Sequence, residues 1–178
     1  GYTVHILDEI IDKLVRQIFA RMKGIPKEQL ITKRYERELA ERRSHLQTLQ
    51  AQRDKAEKDL LSLKAEILAC IKGESVLPKE ILAEMITTQE EKLKDAEALC
   101  ESASAELEKT TELMEEVAKQ YEELISYADL YDHATFEAKK MIVNQLIRRV
   151  DVYRGYQISV SFNFNLSQYF EWIDSTAC

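Results

Sequence analysis

The sequence predicts a mainly α protein in which a long antiparallel coiled-coil hairpin stands on a small α+β base with a C-terminal β-hairpin. Three observations lead to this fold class. Apolar residues recur every seven positions on both sides of one break, the 178 residues include only 4 Gly and 2 Pro, and the apolar spacing changes to alternation near the C terminus. We divide the chain into an N-terminal helix of the base at residues 1–26, a hairpin arm at residues 27–130, and a base helix, β-hairpin and short C-terminal helix at residues 131–178.

The N-terminal segment has the periodicity of an amphipathic helix over residues 2–23. Ile10, Leu14 and Ile18 are spaced by four residues and therefore share one helical face. Acidic side chains near its start and basic side chains near its end agree with the helix dipole. The Gly-Ile-Pro sequence at residues 24–26 then predicts a break before the arm begins.

Two long segments carry the seven-residue repeats and predict two helices that pack through apolar seams. A repeat of this length is typical of a supercoiled helix, because a 3.5-residue period keeps the seam facing its partner. In the second segment only Gln89 and Thr110 depart from apolar character. The seam positions are Leu39, Arg42, Leu46, Leu49, Arg53, Ala56, Leu60, Leu63, Ile67 and Cys70 in the first segment, and Leu82, Ile86, Gln89, Leu93, Ala96, Cys100, Ala103, Leu107, Thr110, Met114, Val117, Tyr121, Leu124 and Ala128 in the second.

The break between these segments predicts where the chain reverses direction. Gly73 is expected near a helix end and Pro78 in the first turn of the next helix, so we place the tip of the hairpin at residues 73–78. Residues 1–80 contain 16 Lys and Arg against 13 Asp and Glu, whereas residues 81–128 contain 4 against 13. An acidic helix beside a mildly basic one favours antiparallel pairing within the chain.

Apolar residues also gather at this tip, where the end of a coiled coil is exposed by geometry. Two explanations remain open: these residues bury one another, or they form a contact surface for another arm or subunit. The candidate protein-interaction site, which we call the tip cluster, consists of Ile71, Val76, Leu77 and Ile81.

The C-terminal segment combines a short helix with a β-hairpin. Residues 131–135 are predicted to form a turn and residues 136–149 an amphipathic helix. Two stretches, 150–153 and 158–164, alternate apolar and polar side chains, which predicts two strands joined by a tight connection. The predicted inward residues of the helix are Phe136, Ile142, Val143, Leu146 and Ile147, its predicted outward residues are Lys139, Lys140, Asn144, Gln145 and Arg148, and Leu166, Tyr169, Phe170 and Ile173 predict a short closing helix.

We predict no catalytic, cofactor-binding or metal-ligating residue in this chain. The sequence contains no Gly-rich phosphate loop, no HExxH and no paired CxxC motif. His5, His45 and His133 are far apart, and the three cysteines lack metal-ligand spacing. No apolar run approaches the roughly 20 residues that a membrane span needs. We therefore expect no enzymatic activity of this chain, no cofactor, no membrane partner and a cytoplasmic location.

A modest basic cluster surrounds the predicted β-hairpin. Such residues make phosphate contacts in DNA-binding proteins, but they are equally consistent with ordinary surface cations. The formal net charge of −7 does not exclude a basic face, because much of the negative excess belongs to the second arm segment. The candidate DNA-contacting residues are Lys139, Lys140, Arg148, Arg149 and Arg154.

The order of elements and one passage of sequence resemble a known family. The passage is Phe-Glu-Ala-Lys-Lys-Met-Ile-Val-Asn-Gln-Leu-Ile-Arg-Arg-Val-Asp-Val-Tyr at residues 136–153, followed by Gln-Ile-Ser-Val-Ser-Phe at residues 157–162. With the preceding hairpin, it resembles the C-terminal part of the large serine recombinases, the site-specific integrases and transposases of phages and conjugative elements. Residues 2–8 resemble the segment just after the last zinc cysteine of that family.

The resemblance implies a non-catalytic part of a DNA-recombination protein in the cytoplasm of bacteria. The catalytic domain with its nucleophilic serine and the cysteine quartet of the zinc ribbon are both absent from the sequence, so no catalytic or zinc-binding residue is carried over. We expect the chain to be a piece of a longer protein whose zinc lies upstream. The family's coiled-coil arm bridges subunits across paired DNA sites and helps to set reaction direction. The implied partners are therefore other recombinase subunits, DNA through the parent protein, and a directionality factor.

Two competing interpretations remain open. A generic helical-hairpin interaction arm, unrelated to recombination, explains the repeats but gives no reason for the terminal helix and β-hairpin. A self-contained nucleic-acid-binding module would need stronger basic clustering than the sequence contains.

Overall fold

The computed structural model describes residues 3–26 and 28–166, and over these residues the chain is mainly helical, with four α-helices and a two-stranded antiparallel sheet. The chain divides into two compact units. The terminal unit contains the described residues up to 34 and from 114 onward, and the middle unit contains Tyr35–Leu113. The predicted arm, residues 27–130, is thus longer than the middle unit.

The first helix of the terminal unit, α1, spans Val4–Lys23 and forms the predicted N-terminal helix. Its buried residues are spaced by three and four, as in an amphipathic helix, and they are Val15, Ile18, Phe19 and Met22. The amide of Gly24 donates to the carbonyl of Ala20 at 3.1 Å and so continues the helical bonding for one more residue. A short π-helix, Glu28–Thr32, then leads into α2.

Two long helices follow, α2 at Lys33–Ile71 and α3 at Lys79–Tyr131. Between them Gly73 has a φ of +74°, in the left-handed region that favours glycine. The amide of Glu74 donates to the carbonyl of Ala69 at 2.9 Å, which satisfies a carbonyl at the end of α2. The amide of Leu82 donates to the carbonyl of Pro78 at 3.1 Å and starts α3.

Within the middle unit, polar contacts join α2 to α3 in reversed order. The guanidinium of Arg42 donates to Glu106 at 2.6 Å. Further along α2, the carbonyl of Ala56 accepts from the side-chain amide of Gln89 at 3.0 Å. Residue numbers on α3 therefore fall as those on α2 rise. Most of the predicted seam residues are less exposed than their neighbours, although Ile67 near the end of α2 is 37% exposed. The seam residues that are buried in this unit are Leu39, Leu49, Leu60, Leu82, Cys100 and Thr110.

The remaining elements complete the terminal unit. Helix α4 spans Phe136–Leu146, and the Thr135 hydroxyl caps it by accepting from the amide of Ala138 at 3.3 Å. Strand β1, Ile147–Val152, pairs with β2, Ile158–Phe162, and their connection includes Gly155 at a φ of +76°. The predicted β-hairpin is therefore present, whereas the predicted closing helix lies mostly beyond residue 166, outside the described residues.

Two features of α4 differ from the prediction. The helix ends at Leu146 and not at residue 149, because Ile147 already has extended backbone angles and starts β1. Phe136 was predicted to point inward, yet its side chain is 62% exposed. It is the first residue after the capping Thr135, and the Lys140 ammonium lies 5.3 Å from the centre of its ring. Ile142, Leu146 and Ile147 are buried as predicted.

No helix in the described part of the chain is both long enough and apolar enough to cross a membrane.

Candidate functional sites

The tip cluster lies in the middle unit, at the end of α2 and the start of α3. All four of its residues are exposed, from Val76 at 97% and Ile71 at 70% to the less exposed Ile81 and Leu77. Leu68 and Met85 beside them are exposed as well. The alternative explanation, that these residues bury one another, therefore accounts for little of the cluster, because most of its apolar surface is in contact with water.

Hydrogen bonds fix the backbone that carries the tip cluster. The Ser75 hydroxyl donates to the carboxylate of Glu66 and also accepts from the amide of Leu77 at 3.2 Å. The connection is thus tied back to α2 by a side chain as well as by the turn at Gly73. A cavity of about 260 Å³ opens beside it, and its lining includes Ile71, Cys70 and Leu82.

The candidate DNA-contacting residues lie in the terminal unit, and a β-bulge places two of them. The strand register passes from Ile147 opposite Phe162 to Arg149 opposite Ser161, so Arg148 is an extra residue in β1. A bulge re-aims the side chains beside it. Regular alternation would place consecutive side chains on opposite faces of the strand, and at this bulge Arg148 and Arg149 are both exposed.

The two lysines of the set are not equivalent. Lys140 is exposed and lies over Phe136. Lys139 was predicted to point outward, but its side chain is largely buried, with its ammonium 5.2 Å from the centre of the Tyr131 ring and 3.9 Å from Asp12. The prediction was wrong for Lys139, because the end of α3 covers this side of α4. Arg154 lies in the exposed connection between β1 and β2.

The structure brings four of the five cations together around one cleft, which we call the basic cleft. Its volume is about 390 Å³, and Arg154 is not among its lining residues. Asp8 and Asp12 of α1 and Tyr131 of α3 also line it. The proximity of the two aspartates to α4 could not be predicted from the sequence, because they lie more than a hundred residues before it. The cations in its lining are Lys139, Lys140, Arg148 and Arg149.

Carboxylates neutralise part of this positive charge. The guanidinium of Arg149 donates to Asp151 at 2.8 Å. Asp12 accepts from Arg16 at 2.8 Å and from the hydroxyl of Tyr131 at 2.8 Å. Burial alone would raise the pKa of Asp12, but these two hydrogen bonds and the charges of Arg16 and Lys139 together lower it. Asp12 is therefore ionised near neutral pH, and the basic cleft has exposed cations beside a fixed anion.

No group of three or more His, Cys, Asp or Glu side chains in residues 3–26 and 28–166 has an arrangement that could hold a metal ion.

Comparisons with models of protein families, with curated proteins and with solved structures find no match for this chain.

Proposed function

We propose that α2 and α3 form an antiparallel coiled-coil hairpin that serves as a protein-interaction arm. The observation that carries this proposal is the reversed order of their contacts, from Arg42 with Glu106 to Lys64 with Glu90 at 3.1 Å. The seam residues between these contacts, which recur with the seven-residue repeat, have low exposure. This supports the proposal, because a coiled coil buries its seam against the partner helix.

The function we propose for the whole chain is that of the coiled-coil arm and C-terminal base of a large serine site-specific DNA recombinase. In this role the chain is non-catalytic and mediates subunit contacts during synapsis, the pairing of two DNA sites, and during control of reaction direction. The support is the resemblance of residues 136–153 and 157–162, together with the order of a helix, two long helices, a short helix and a β-hairpin. Other recombinase subunits, DNA and a directionality factor are the partners that this role requires.

Each candidate site has a part in this proposal. The tip cluster provides an apolar surface for another arm or subunit, since Val76 and Ile71 are exposed. The basic cleft provides contacts to the DNA backbone, since Arg148, Arg149 and Lys140 are exposed around it. Neither contact needs a cofactor within this chain, and a zinc ion belongs to the upstream ribbon that the resemblance implies.

A generic interaction arm, unrelated to recombination, is the second candidate. The observation that favours it is the pairing of Asp151 with Arg149 and of Asp12 with Lys139, which weakens the field of the basic cleft. The two candidates differ in their DNA affinity. The recombinase arm predicts weak binding that depends on Arg148 and Arg149, whereas the generic arm predicts none.

The tip contact can be tested by measuring self-association of the full chain by sedimentation equilibrium. We expect Val76→Asp to weaken association by roughly five- to thirtyfold, which corresponds to about 1–2 kcal/mol for one side chain in a small contact. Leu61→Asp is the matched control, because Leu61 is an exposed leucine of α2 that lies ten residues before Ile71. Equal loss with both variants, or no association of the unmodified chain, would remove the tip as a contact between copies.

The recombination role has its own test in the complete recombinase. Val76→Asp and Leu77→Asp should leave binding to the DNA site intact in a gel-shift titration while they impair pairing of two sites in a synapsis assay. Normal synapsis with both variants would reject the proposed role of the tip cluster. Loss of helicity in either variant would show that the tip residues act on folding instead.

A further inference from the structure

A second and larger cleft in the terminal unit lies on the side of α4 that faces away from the basic cleft. Its volume is about 720 Å³. At 100° per residue, the α4 residues in its lining point opposite to Phe136, Lys140 and Asn144, which line the basic cleft. We call it the apolar groove, and its lining residues are Tyr127, Asp129, Leu130, His133, Ala134, Ala138, Met141, Ile142 and Gln145.

Large apolar side chains stand at the edges of this groove in contact with water. Leu130 near the end of α3 is 61% exposed, and Met141 on α4 is 70% exposed. Between them Ala134 and Ala138 have side chains of a single methyl group, which leaves room for another chain to approach the backbone. Methionine adapts its shape to different apolar partners, and contiguous exposed apolar surface marks interaction sites.

The dimensions of the groove suit a helix of a partner. On α4 its lining extends from Ala138 to Gln145, which is about 10 Å at 1.5 Å per residue and equals two helical turns. An amphipathic helix places apolar residues at positions i, i+3 or i+4, and i+7 over the same distance. The polar side chains in the lining are those of Tyr127, Asp129, His133 and Gln145. The Tyr127 hydroxyl already donates to Glu123 and Asp129 is paired with Lys23, so few polar groups are left to orient a small ligand.

The charges around the groove select the partner further. The part of α3 in the terminal unit, residues 114–131, contains five carboxylates against one lysine. Asp129 lines the groove, Glu123 lies one turn before Tyr127 and bonds its hydroxyl at 3.0 Å, and Glu137 lies one turn before Met141. Lys23 offsets part of this charge, at 3.5 Å from Asp129. The rim is therefore acidic and complements a basic partner.

We propose that the apolar groove binds an amphipathic helix of a partner protein that carries apolar residues on one face and Lys or Arg at its flanks. This site is separate from the tip cluster and from the basic cleft, and it does not depend on the recombination role. The chain's own residues 167–178 do not fit this description, because they contain Glu171 and Asp174 and no Lys or Arg. An anionic membrane surface or a nucleic acid would be repelled by the acidic rim.

The test uses the full chain and three labelled synthetic peptides, with binding followed by fluorescence anisotropy. The first peptide is a two-turn amphipathic helix with leucines on one face and lysines at its flanks. The second has the same composition in an order that has no apolar face, and the third replaces each lysine by glutamate. We expect the first peptide to bind at least about tenfold more tightly than either of the others, because both the apolar face and the positive flanks are needed.

Substitutions then locate the site. Met141→Lys places a charge in the groove and should lower affinity for the first peptide by at least about tenfold, the loss typical of a central interface residue. Leu130→Lys, at the opposite edge, should give a similar loss. Leu61→Lys adds the same charge at an equally exposed leucine of the middle unit and should leave affinity unchanged.

Any one of five results would overturn the proposal. The first result would be that the first peptide does not bind, and the second would be that the lysine and glutamate peptides bind with equal affinity. The third result would be that neither Met141→Lys nor Leu130→Lys changes the affinity for the first peptide, although both variant chains have normal helicity. The fourth result would be that, without peptide, Met141→Lys changes the molecular mass observed in sedimentation, which would mean that a second copy of the chain occupies the groove. The fifth result would be that a chain ending at Leu166 binds the first peptide more tightly than the full chain does, which would mean that residues 167–178 compete for the groove.

Discussion

Tyr131, the last residue of α3, joins three helices of the terminal unit. Its side chain is fully buried, and its ring meets the ring of Phe19 from α1 edge to face at 5.5 Å. The Arg16 guanidinium and the Lys139 ammonium lie 5.5 Å and 5.2 Å from the centre of this ring. Its hydroxyl donates to Asp12 at 2.8 Å, and burial together with this bond raises the pKa of Tyr131. A single aromatic residue thus combines apolar burial, cation contacts and a hydrogen bond.

We predict that Tyr131→Phe lowers the free energy of unfolding by about 1–2 kcal/mol, because it removes one hydrogen bond to a carboxylate and keeps the ring. Urea unfolding followed by circular dichroism measures the change. Tyr153→Phe is a suitable control, since the Tyr153 side chain is exposed, and it should change stability little. Equal effects of the two substitutions would mean that the Tyr131 hydroxyl does not stabilise the fold.

The lowered pKa of Asp12 predicts how stability depends on pH. An acid whose pKa is lower in the folded chain stabilises it at pH values above the pKa of the unfolded chain, about 4, and this contribution is lost as the pH falls through the folded pKa. We therefore expect the free energy of unfolding to decline below about pH 4. Asp12→Asn should make this decline shallower, whereas an unchanged pH profile would contradict the role of Asp12.

At the scale of elements, the connection between α2 and α3 depends on one glycine. Gly73 has a φ of +74° with open space around its missing Cβ, so only the backbone conformation opposes a side chain there. We predict that Gly73→Ala costs about 1 kcal/mol of unfolding free energy. Gly24→Ala is the matched control, because Gly24 has a helical φ of −71° and a Cβ would meet only ordinary contacts at 3.5 Å. Thermal unfolding that shows equal losses for both would contradict this reasoning.

The two polar seam residues of α3, Gln89 and Thr110, satisfy their hydrogen bonds differently. The Thr110 hydroxyl donates to the carbonyl of Glu106 within α3 at 3.0 Å, whereas the Gln89 amide reaches across to Ala56 of α2. A polar side chain that bonds across a seam fixes the register of two helices at some cost in stability. The Thr110 hydroxyl donates within its own helix, so of these two residues Gln89 is the one expected to contribute to register. The seam residue Arg42 of α2, which donates to Glu106 of α3, is expected to act in the same way.

We predict that Gln89→Leu broadens the distance distribution between spin labels at residues 63 and 86, while Thr110→Val leaves it unchanged. Electron paramagnetic resonance on the single chain provides the measurement. In the unmodified chain these labels should be close within one molecule, as the proposed hairpin requires. Labels that approach one another only between molecules would rule out the hairpin, and an unchanged distribution in Gln89→Leu would remove Gln89 as the register determinant.

At the scale of the whole molecule, the charge distribution limits how strongly the chain can bind DNA. The net charge is −7, and the candidate DNA-contacting cations other than Arg154 line one cleft that also contains Asp8 and Asp12. A site with few phosphate contacts binds DNA weakly, and its affinity falls with salt in proportion to the number of these contacts, because each contact releases condensed counterions. Long-range repulsion between the acidic part of α3 and the phosphates lowers the affinity for DNA further.

We predict that the isolated chain binds duplex DNA weakly and neither cuts nor joins it. Binding should weaken further with added salt and in the double variant Arg148→Ala with Arg149→Ala. Arg37→Ala with Arg43→Ala is a control of equal charge change in the middle unit and should have a smaller effect. Gel-shift and anisotropy titrations at several salt concentrations provide the measurement. Tight binding that resists salt, or any nicking of supercoiled DNA, would contradict the proposed role.

The sequence by itself determined the helical character of the chain, the break at residues 73–78 and the β-hairpin. These depend on local physics: hydrophobic period, the backbone freedom of glycine and the capping ability of residues such as Thr135. The exposure of Val76 was also predictable, since an apolar residue in a short connection between helices has little around it. Val76 is accordingly almost fully exposed.

Only the tertiary structure decided where α4 ends, which way Lys139 points and what surrounds the basic residues. Residues 147–149 have helical periodicity in the sequence, but pairing of β1 with β2 supplies hydrogen bonds that a further helical turn would otherwise make. Lys139 is drawn towards Tyr131 and Asp12, and Asp12 lies more than a hundred residues away in the chain. The apolar groove likewise arises from α3 and α4 together. Contacts between residues that are distant in the sequence determine these features, and such contacts cannot be predicted from local sequence patterns.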